Sequence, residues 1–158
     1  MLKKGIIVII IVLFTILFNS NHEVIESKYN NGYYGYLNIP KIGMQFGFYN
    51  YDNKLNNVNN NIEIIKTNIE DTYLLAGHSG TGKVSFFNNL RYLEIGDIVI
   101  FSIGDVIREY SVVDIINDKK NGKLKIDNKE GYLYLTTCDQ VNKGYQLTIK
   151  CKKNDKKR

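Results

Sequence analysis

Short, regularly spaced runs of strand-forming residues dominate this chain and limit the folds that it can adopt. The runs are rich in Ile, Val, Tyr and Thr, and Gly, Asn and Asp separate them, which is the pattern of β-strands joined by turns. They cover residues 33–39, 42–48, 72–76, 98–103, 106–116, 132–137 and 145–151. Seven or eight short strands without a visible internal repeat predict a mostly β domain, either a sandwich or a barrel.

Two segments between these runs predict short helices. The first covers residues 53–62, and the second covers residues 85–93, where Phe87, Leu90 and Leu93 recur on roughly one side. The first segment is rich in Asn, but Asn, Ile and Lys are abundant throughout the chain. We therefore attribute its composition to a general bias and predict no separate role for it.

The N-terminus predicts export and membrane attachment. Lys3 and Lys4 precede residues 5–18, a run of fourteen uncharged residues in which Thr15 is the only polar side chain. As a helix the run spans only about 21 Å, short of the roughly 30 Å hydrocarbon core, so its length suits a cleaved signal. No small-residue cleavage site follows, and we therefore favour a retained anchor over residues 1–21. The lysines place the rest of the chain outside the cell.

The remaining chain divides into a polar stalk over residues 22–32, a folded domain over 33–152 and a basic tail over 153–158. A length of 158 residues allows one such domain. Residues 150–158 hold six basic residues and one acidic residue, whereas the preceding 149 residues hold fifteen of each. The neutral body predicts no nucleic-acid partner, and the tail is either solvated or loosely attracted to anionic lipid or wall polymers.

A glycine-rich segment after one strand-like run comes near two known motifs. Gly77-x4-Gly82-Lys83 matches the phosphate-binding loop until Val84, which stands where a Ser or Thr should hold magnesium. The loop also requires a strand followed by a helix in a parallel sheet, and the later chain is rich in strands instead. A phosphate-binding site is therefore not predicted.

The same segment approaches the nucleophile elbow G-x-S-x-G around Ser79, but Thr81 replaces the last glycine. A serine triad would need a later histidine, and the only histidines are His22 in the stalk and His78. His78 follows an apolar strand and lies between glycines, a position from which catalytic groups are commonly displayed. A hydrogen-bonded structural histidine is the alternative interpretation.

Two cysteines in an exported domain suggest a disulfide, but their spacing opposes one. If the last two strand-like runs pair as a hairpin, Cys138 lies opposite Tyr145 and Cys151 lies opposite Tyr132. The cysteines are then about 20 Å apart at 3.4 Å per residue, well beyond the reach of a disulfide. We therefore predict two free thiols.

Side-chain alternation along that hairpin separates the two thiols further. Cys151 falls on the apolar face and is interpreted as a small core residue, whereas Cys138 shares the other face with Gln146. A free thiol at a strand end beside a loop is a candidate nucleophile. One domain histidine, His78, and two separated cysteines do not form a ligand set, so neither a metal nor a cofactor is predicted.

Four ordered pieces of the domain together resemble the sortase family of cysteine transpeptidases. They are LNIPKI at 37–42, LAGH at 75–78, FFNNL at 86–90 followed by GD at 96–97, and LTTC at 135–138. The last piece is similar to the family's T-L-x-T-C, with Tyr134 in place of the first Thr. The resemblance implies a closed eight-stranded β-barrel and single-pass attachment to the cell membrane with an extracellular catalytic domain.

The resemblance also implies the chemistry and the partners. Sortases cleave a Leu-Pro-x-Thr-Gly-like sorting signal of surface proteins, hold the product as a cysteine thioester and pass it to an amine of a peptidoglycan precursor or a pilin. Carried onto this chain, Cys138 is the nucleophile and His78 is the acid and base. The segments 117–131 and 139–144 are the loops that face the substrate.

One position departs from the family pattern. Sortases place an arginine on the last strand, and this chain has Gln146 there, a donor without charge. Arg91, Arg108 and Arg158 are set aside because of their sequence positions. The neutral donor predicts an enzyme that is slow, specialised or partly inactive. The alternatives are a catalytically impaired sortase-fold module that binds sorting signals without turnover, and an unrelated exported β-barrel.

Overall fold

The computed structural model describes residues 32–155 of the chain. The anchor predicted over residues 1–21, the stalk up to residue 31 and the last three residues of the basic tail lie outside the described residues. Within 32–155, no helix is long and apolar enough to cross a membrane.

Eight strands form one sheet. They are β1 (Gly35–Ile39), β2 (Met44–Phe48), β3 (Glu63–Ile65), β4 (Tyr73–Ala76), β5 (Ile98–Ile103), β6 (Val106–Lys119), β7 (Tyr132–Cys138) and β8 (Tyr145–Lys153). Their order in the sheet is β2-β1-β5-β6-β8-β7-β4-β3. The β4–β7 pair is parallel, and the other neighbouring strands are antiparallel. The mostly β prediction is confirmed, and each predicted run overlaps one strand.

The prediction of a closed barrel needs one correction, because the barrel is only nearly closed. The order of hydrogen-bonded strands begins at β2 and ends at β3. At these edges the side-chain amide of Asn61, which precedes β3, donates to the Gly47 carbonyl of β2 at 3.0 Å. The ring of Phe46 in β2 lies 4.8 Å from that of Phe86, in the segment that follows β4. Side chains therefore bridge the gap that the backbone leaves. The sequence analysis missed β3, which has only three residues, too few to show alternation.

The prediction of two short helices is wrong. Residues 53–62 form successive turns, in which the Asn57 amide donates to the Lys54 carbonyl and the Leu55 N–H donates to the Asn53 side chain, both at 2.9 Å. Such local side-chain bonds compete with a helix for the backbone groups. In the second segment only a 3₁₀ helix forms, over Asn88–Tyr92.

The interior of the barrel is apolar, and the second predicted segment packs against it as expected. The fully buried large side chains include Leu37, Ile39, Phe48, Leu75, Phe87, Leu90, Phe101, Leu133, Leu135 and Ile149. The phenyl rings of Phe48 and Phe101 stack with centroids 5.4 Å apart. This core supports β4, β7 and β8, the strands that carry the candidate site.

The β7–β8 hairpin has the predicted faces with a register one residue away from the predicted one. Cys138 lies opposite Gln146, and Leu133 lies opposite Cys151. The extra residue belongs to the turn, where the Asp139 carboxylate accepts the N–H of Val141 at 2.8 Å. Gln146 and Cys138 therefore share the outer face, Cys151 lies inside, and both thiols are free.

Candidate active site

The ends of two parallel strands bring His78 and Cys138 together. Ala76, the last residue of β4, lies opposite Thr136 of β7, so two further residues along each strand lead to His78 and Cys138. The Ser79 hydroxyl donates to the Cys138 carbonyl at 2.5 Å and ties the two strand ends to each other. The two candidates from the sequence analysis are therefore neighbours at one end of the sheet.

A glycine immediately before His78 allows the chain to pass close to the core. A Cβ atom on Gly77 would lie 2.9 Å from the Phe87 ring, closer than side chains tolerate. The Thr137 hydroxyl donates to the Gly77 carbonyl at 2.8 Å, and the Phe87 N–H donates to the His78 carbonyl at 3.0 Å. The backbone of His78 is thus held on both sides.

Asn88 connects the loop after His78 with the loop after Cys138. Its side chain accepts the Gly80 N–H at 2.7 Å and donates to the Gly80 carbonyl at 2.9 Å. The Gln140 amide donates to the same Asn88 oxygen at 2.5 Å.

The turns and the short 3₁₀ helix after β4 are incompatible with a phosphate-binding loop. The Ser79 hydroxyl donates to the Cys138 carbonyl and not to a histidine base, so a serine nucleophile is not supported either.

A lysine donates to the Cys138 sulfur. The Lys120 Nζ lies 2.8 Å from Cys138 Sγ; Cys138 is half-buried and Lys120 is exposed. The Lys120 N–H donates to the Gly144 carbonyl at 2.8 Å, just beyond the Lys119–Tyr145 pair of β6 and β8. The sequence analysis missed Lys120, because lysines are abundant in this chain and none has a distinguishing local pattern.

The His78 ring bonds to a residue that the sequence analysis did not single out. Its Nε2 lies 3.2 Å from the Asn59 side-chain oxygen. Within residues 32–155, no hydrogen bond joins the His78 ring to Cys138. Catalytic hydrogen bonds are often long before substrate binds, so this arrangement is compatible with a proton-transfer role for His78.

Gln146 lies beside the thiol and is hydrogen-bonded to Thr136, which together with Thr148 forms the floor of the site. It pairs with Cys138 in the register of β7 and β8, and its Nε2 donates to the Thr136 hydroxyl at 2.5 Å. Thr136 also contacts the Thr148 hydroxyl at 3.1 Å. The predicted placement of Gln146 on the face of Cys138 is therefore observed, with one amide hydrogen used by the protein itself.

A groove adjoins this floor. A cavity of about 230 Å³ is lined by Ile116, Asp118, Lys119, Asn121, Lys123, Leu124, Lys125, Gln146 and Thr148. Its outer wall belongs to the loop that follows β6, which the Lys125–Asp118 ion pair holds at 2.9 Å. The groove lies alongside Gln146, which the register places opposite the Cys138 thiol.

The far end of that loop is fixed on the same face. The Asp127 N–H donates to the Tyr134 hydroxyl at 3.0 Å, and Lys150 Nζ lies 2.6 Å from the Asp127 carboxylate. The hydrogen bond from Lys150 lowers the pKa of Asp127. The predicted substrate-facing segment 117–131 thus begins as the end of β6 and continues as an anchored loop over β7 and β8.

The loop after Cys138 is ordered by its own carboxylate. Hydrogen bonds from the side chains of Asn142 and Asn117 lower the pKa of Asp139 to about 2. Further along this loop, Gln140 accepts a bond from the Arg91 guanidinium at 3.1 Å. Arg91 lines a small pocket together with Cys138, so the tertiary structure brings near the site an arginine that its sequence position had set aside.

The second thiol belongs to the core. Cys151 has no exposed surface, and burial raises its pKa to about 12. Among residues 32–155, no group of three or more His, Cys, Asp or Glu side chains is placed to hold a metal ion.

Comparisons with known proteins agree with this geometry. The family model "Sortase domain" matches residues 37–153. Sortase A of Listeria monocytogenes superposes with a TM-score of 0.66 at 17% identity, covering 79% of this chain and 89% of that one. A Clostridium perfringens sortase D5 transpeptidase gives 0.63 at 22% identity, covering 78% and 79%.

A third structural relative is sortase C of Streptococcus pneumoniae, whose structure is described as informing catalysis and pilin substrate specificity. It gives a TM-score of 0.66 at 19% identity and covers 79% of this chain and 68% of that one. No curated protein sequence matches the chain. The solved structures show the fold, which excludes an unrelated barrel, and the family model covers most of the chain. This chain therefore belongs to the sortase family of cysteine transpeptidases.

Proposed function

We propose that this protein is a membrane-anchored, extracellular transpeptidase that joins surface proteins bearing a Leu-Pro-x-Thr-Gly-like sorting signal to an amine. The observation that carries the proposal is the half-buried Cys138 thiol, which lies next to His78 at the end of two parallel strands. The acceptor is an amine of a peptidoglycan precursor or of a pilin, the latter in keeping with the pilin specificity described for the pneumococcal sortase C relative.

The proposed reaction uses Cys138 as nucleophile and His78 as acid and base. His78 takes the thiol proton, and the thiolate attacks the carbonyl carbon of the scissile peptide bond. The C–S bond forms, the C–N bond breaks, and the leaving amine takes a proton from His78. An incoming amine then attacks the thioester, gives a proton to His78 and releases the Cys138 thiolate.

Gln146 supports this site from the floor and supplies a neutral donor in place of the usual arginine. One hydrogen of its amide is bonded to Thr136, and a primary amide has a second hydrogen to offer. A neutral donor is roughly half as strong as a charged one. We therefore expect slower turnover than an arginine-bearing site would give.

Membrane anchorage is proposed from residues 1–21, in which Lys3 and Lys4 precede the apolar run. The mature protein should keep Met1. Recovery of a membrane-free form beginning after Ser20 would show instead that the segment is a cleaved signal.

The alternative is a catalytically impaired module that binds sorting signals without turnover. Two features favour it: the His78 ring bonds to Asn59 rather than to the thiol, and Gln146 brings no charge. In that case the groove beside Gln146 would hold the peptide and Cys138 would form no acyl intermediate.

The test is mass spectrometry of the full chain incubated with peptides that contain Leu-Pro-x-Thr-Gly-like motifs. Turnover predicts a covalent acyl adduct on Cys138 that disappears when a glycine-based amine is added. His78→Ala should slow adduct formation by about 10²- to 10⁴-fold. Peptide binding without any adduct would support the binding module and contradict the proposed enzyme.

A further inference from the structure

Lys120 places a charged group in contact with the Cys138 sulfur, and the fold holds its backbone there. The ammonium lies 2.8 Å from Cys138 Sγ. The Lys120 N–H donates to Gly144 at 2.8 Å, and the Asp139 N–H donates to Tyr145 at 3.0 Å. The residues on both sides of the Lys120–Cys138 contact are therefore tied to the beginning of β8.

The Lys120 ammonium forms no ion pair with a carboxylate of residues 32–155. The carboxylate two residues earlier in the chain, that of Asp118, is paired with Lys125 at 2.9 Å. Asp139, next to the thiol in sequence, accepts hydrogen bonds from Asn117 at 2.5 Å and from the Asn142 side chain at 2.9 Å. The charge of Lys120 is thus available to Cys138.

The other candidate donors bond to groups other than the sulfur. The Gln146 amide donates to Thr136 at 2.5 Å. The Arg91 guanidinium donates to Gln140 at 3.1 Å and to the Tyr92 hydroxyl at 2.7 Å. The side chain that donates to the sulfur is Lys120, the residue just beyond the end of the β6–β8 ladder.

We propose that Lys120 supplies the catalytic positive charge that this chain lacks on its last strand. The ammonium donates a hydrogen bond to the Cys138 thiolate and stabilises the negative charge on sulfur before attack and after release of the product. It stays protonated throughout, since His78 moves the protons. This role rests on the proposed function, because it assigns a residue to the same transpeptidation.

A lysine performs this task from a different direction than an arginine would. The family's arginine lies on the last strand, whereas Lys120 approaches from the end of β6 as a compact charge with three donors. A single side chain from a neighbouring strand thereby compensates for the neutral Gln146.

The test measures the charge beside Cys138 without requiring turnover. Cys138 in the full chain is alkylated with anionic iodoacetate and with neutral iodoacetamide at one pH, and the modified peptide is quantified. The thiolate fraction cancels in the ratio of the two rates, so the ratio reports the local field. In water, a unit charge about 4 Å from the iodoacetate carboxylate changes the ratio of the two rates about fivefold.

We expect Lys120→Met to lower the iodoacetate-to-iodoacetamide ratio about fivefold and Lys120→Arg to restore most of it. The matched control is Lys152→Met, the same change on an exposed residue paired with Tyr132 at the far end of the hairpin, about 20 Å from the thiol. At that distance screening leaves little effect. An unchanged ratio in Lys120→Met, or a drop produced by Arg91→Met instead, would overturn the proposal.

Turnover provides the second readout. Where the wild-type chain acylates, Lys120→Met should lower kcat/KM about tenfold or more, with partial recovery in Lys120→Arg. Equal kcat/KM in Lys120→Met and the wild type would refute the catalytic role. If the wild type forms no acyl adduct with any peptide, the proposed transpeptidation fails, while the alkylation ratio still decides whether Lys120 acts on the thiol.

Discussion

The inner and outer faces of the β7–β8 hairpin contain one cysteine each, and the two thiols have opposite environments. Cys151 lies inside with no exposed surface, and its neighbour across the hairpin is Leu133. Cys138 lies on the outer face and is half-buried, beside Lys120 and the loop that contains His78. The comparison shows that in one pair of strands the face, and not the residue type, decides whether a thiol is buried in the core or accessible as a candidate nucleophile.

The largest expected contrast is in activity. Cys138→Ala should abolish thioester formation and lower turnover on the order of 10⁴-fold or more, because Cys138 is the proposed nucleophile and the Cys151 thiol is fully buried. Cys151→Ala should leave kcat within about twofold, since it only opens a small core cavity. Adduct formation and peptide transfer measured for both variants check this. An acyl adduct found on Cys151 would contradict the assignment of the two faces.

The next contrast is in stability, where substitutions on the inner face should have the larger effect. Ile149→Ala, on the inner face and fully buried, should lower the free energy of unfolding by about 2–5 kcal/mol. Lys152→Ala, exposed on the outer face, should change it by less than about 0.5 kcal/mol. Urea unfolding followed by circular dichroism measures both. Similar losses would mean that the outer face is packed as tightly as the core.

A smaller effect concerns the pH dependence of stability. Burial raises the pKa of Cys151 to about 12, so the unfolded thiol ionises near pH 9 while the folded one stays neutral. The contribution of Cys151 to stability should therefore be constant below about pH 9 and fall by up to about 1.4 kcal/mol per pH unit between about pH 9 and 12. Cys151→Ala should remove this part of the decline, and Cys138→Ala should not. Identical alkaline slopes in Cys151→Ala and the wild type would contradict it.

The smallest effect is expected at Gln146. Its amide is already bonded to Thr136, and it carries no charge, so Gln146→Ala should lower kcat/KM only about threefold to tenfold. Gln146→Arg should raise turnover if missing charge limits the rate. Steady-state kinetics with a sorting peptide measure both variants. Full activity in Gln146→Ala would remove this residue from the catalytic site.

The asparagines of residues 53–62 show where composition misled the sequence analysis. Their abundance was attributed to a general bias, yet Asn56 bonds to both backbone groups of Ile64, and Asn61 bridges the edges of the barrel at Gly47. Asn59 reaches the His78 ring. Each of these partners lies in another element, so no local pattern could have revealed them.

The sequence by itself determined seven of the eight strands, their faces and the two strand ends that lead to His78 and Cys138. Alternation and β-branched residues are local signals, and Leu135, Leu147 and Ile149 all face the interior as their spacing required. Family motifs added the identity of the domain, since LTTC and LAGH lie at adjacent strand ends.

Only the tertiary structure decided what surrounds the thiol. Lys120 comes to Cys138 from the end of another strand, and Arg91 reaches the following loop from the 3₁₀ helix. These contacts depend on strand order, on a register that one turn residue shifts, and on long side chains with many rotamers. Sequence spacing carries none of that information, because charges interact through space. The position of a lysine in the sequence does not show where its ammonium lies in the fold.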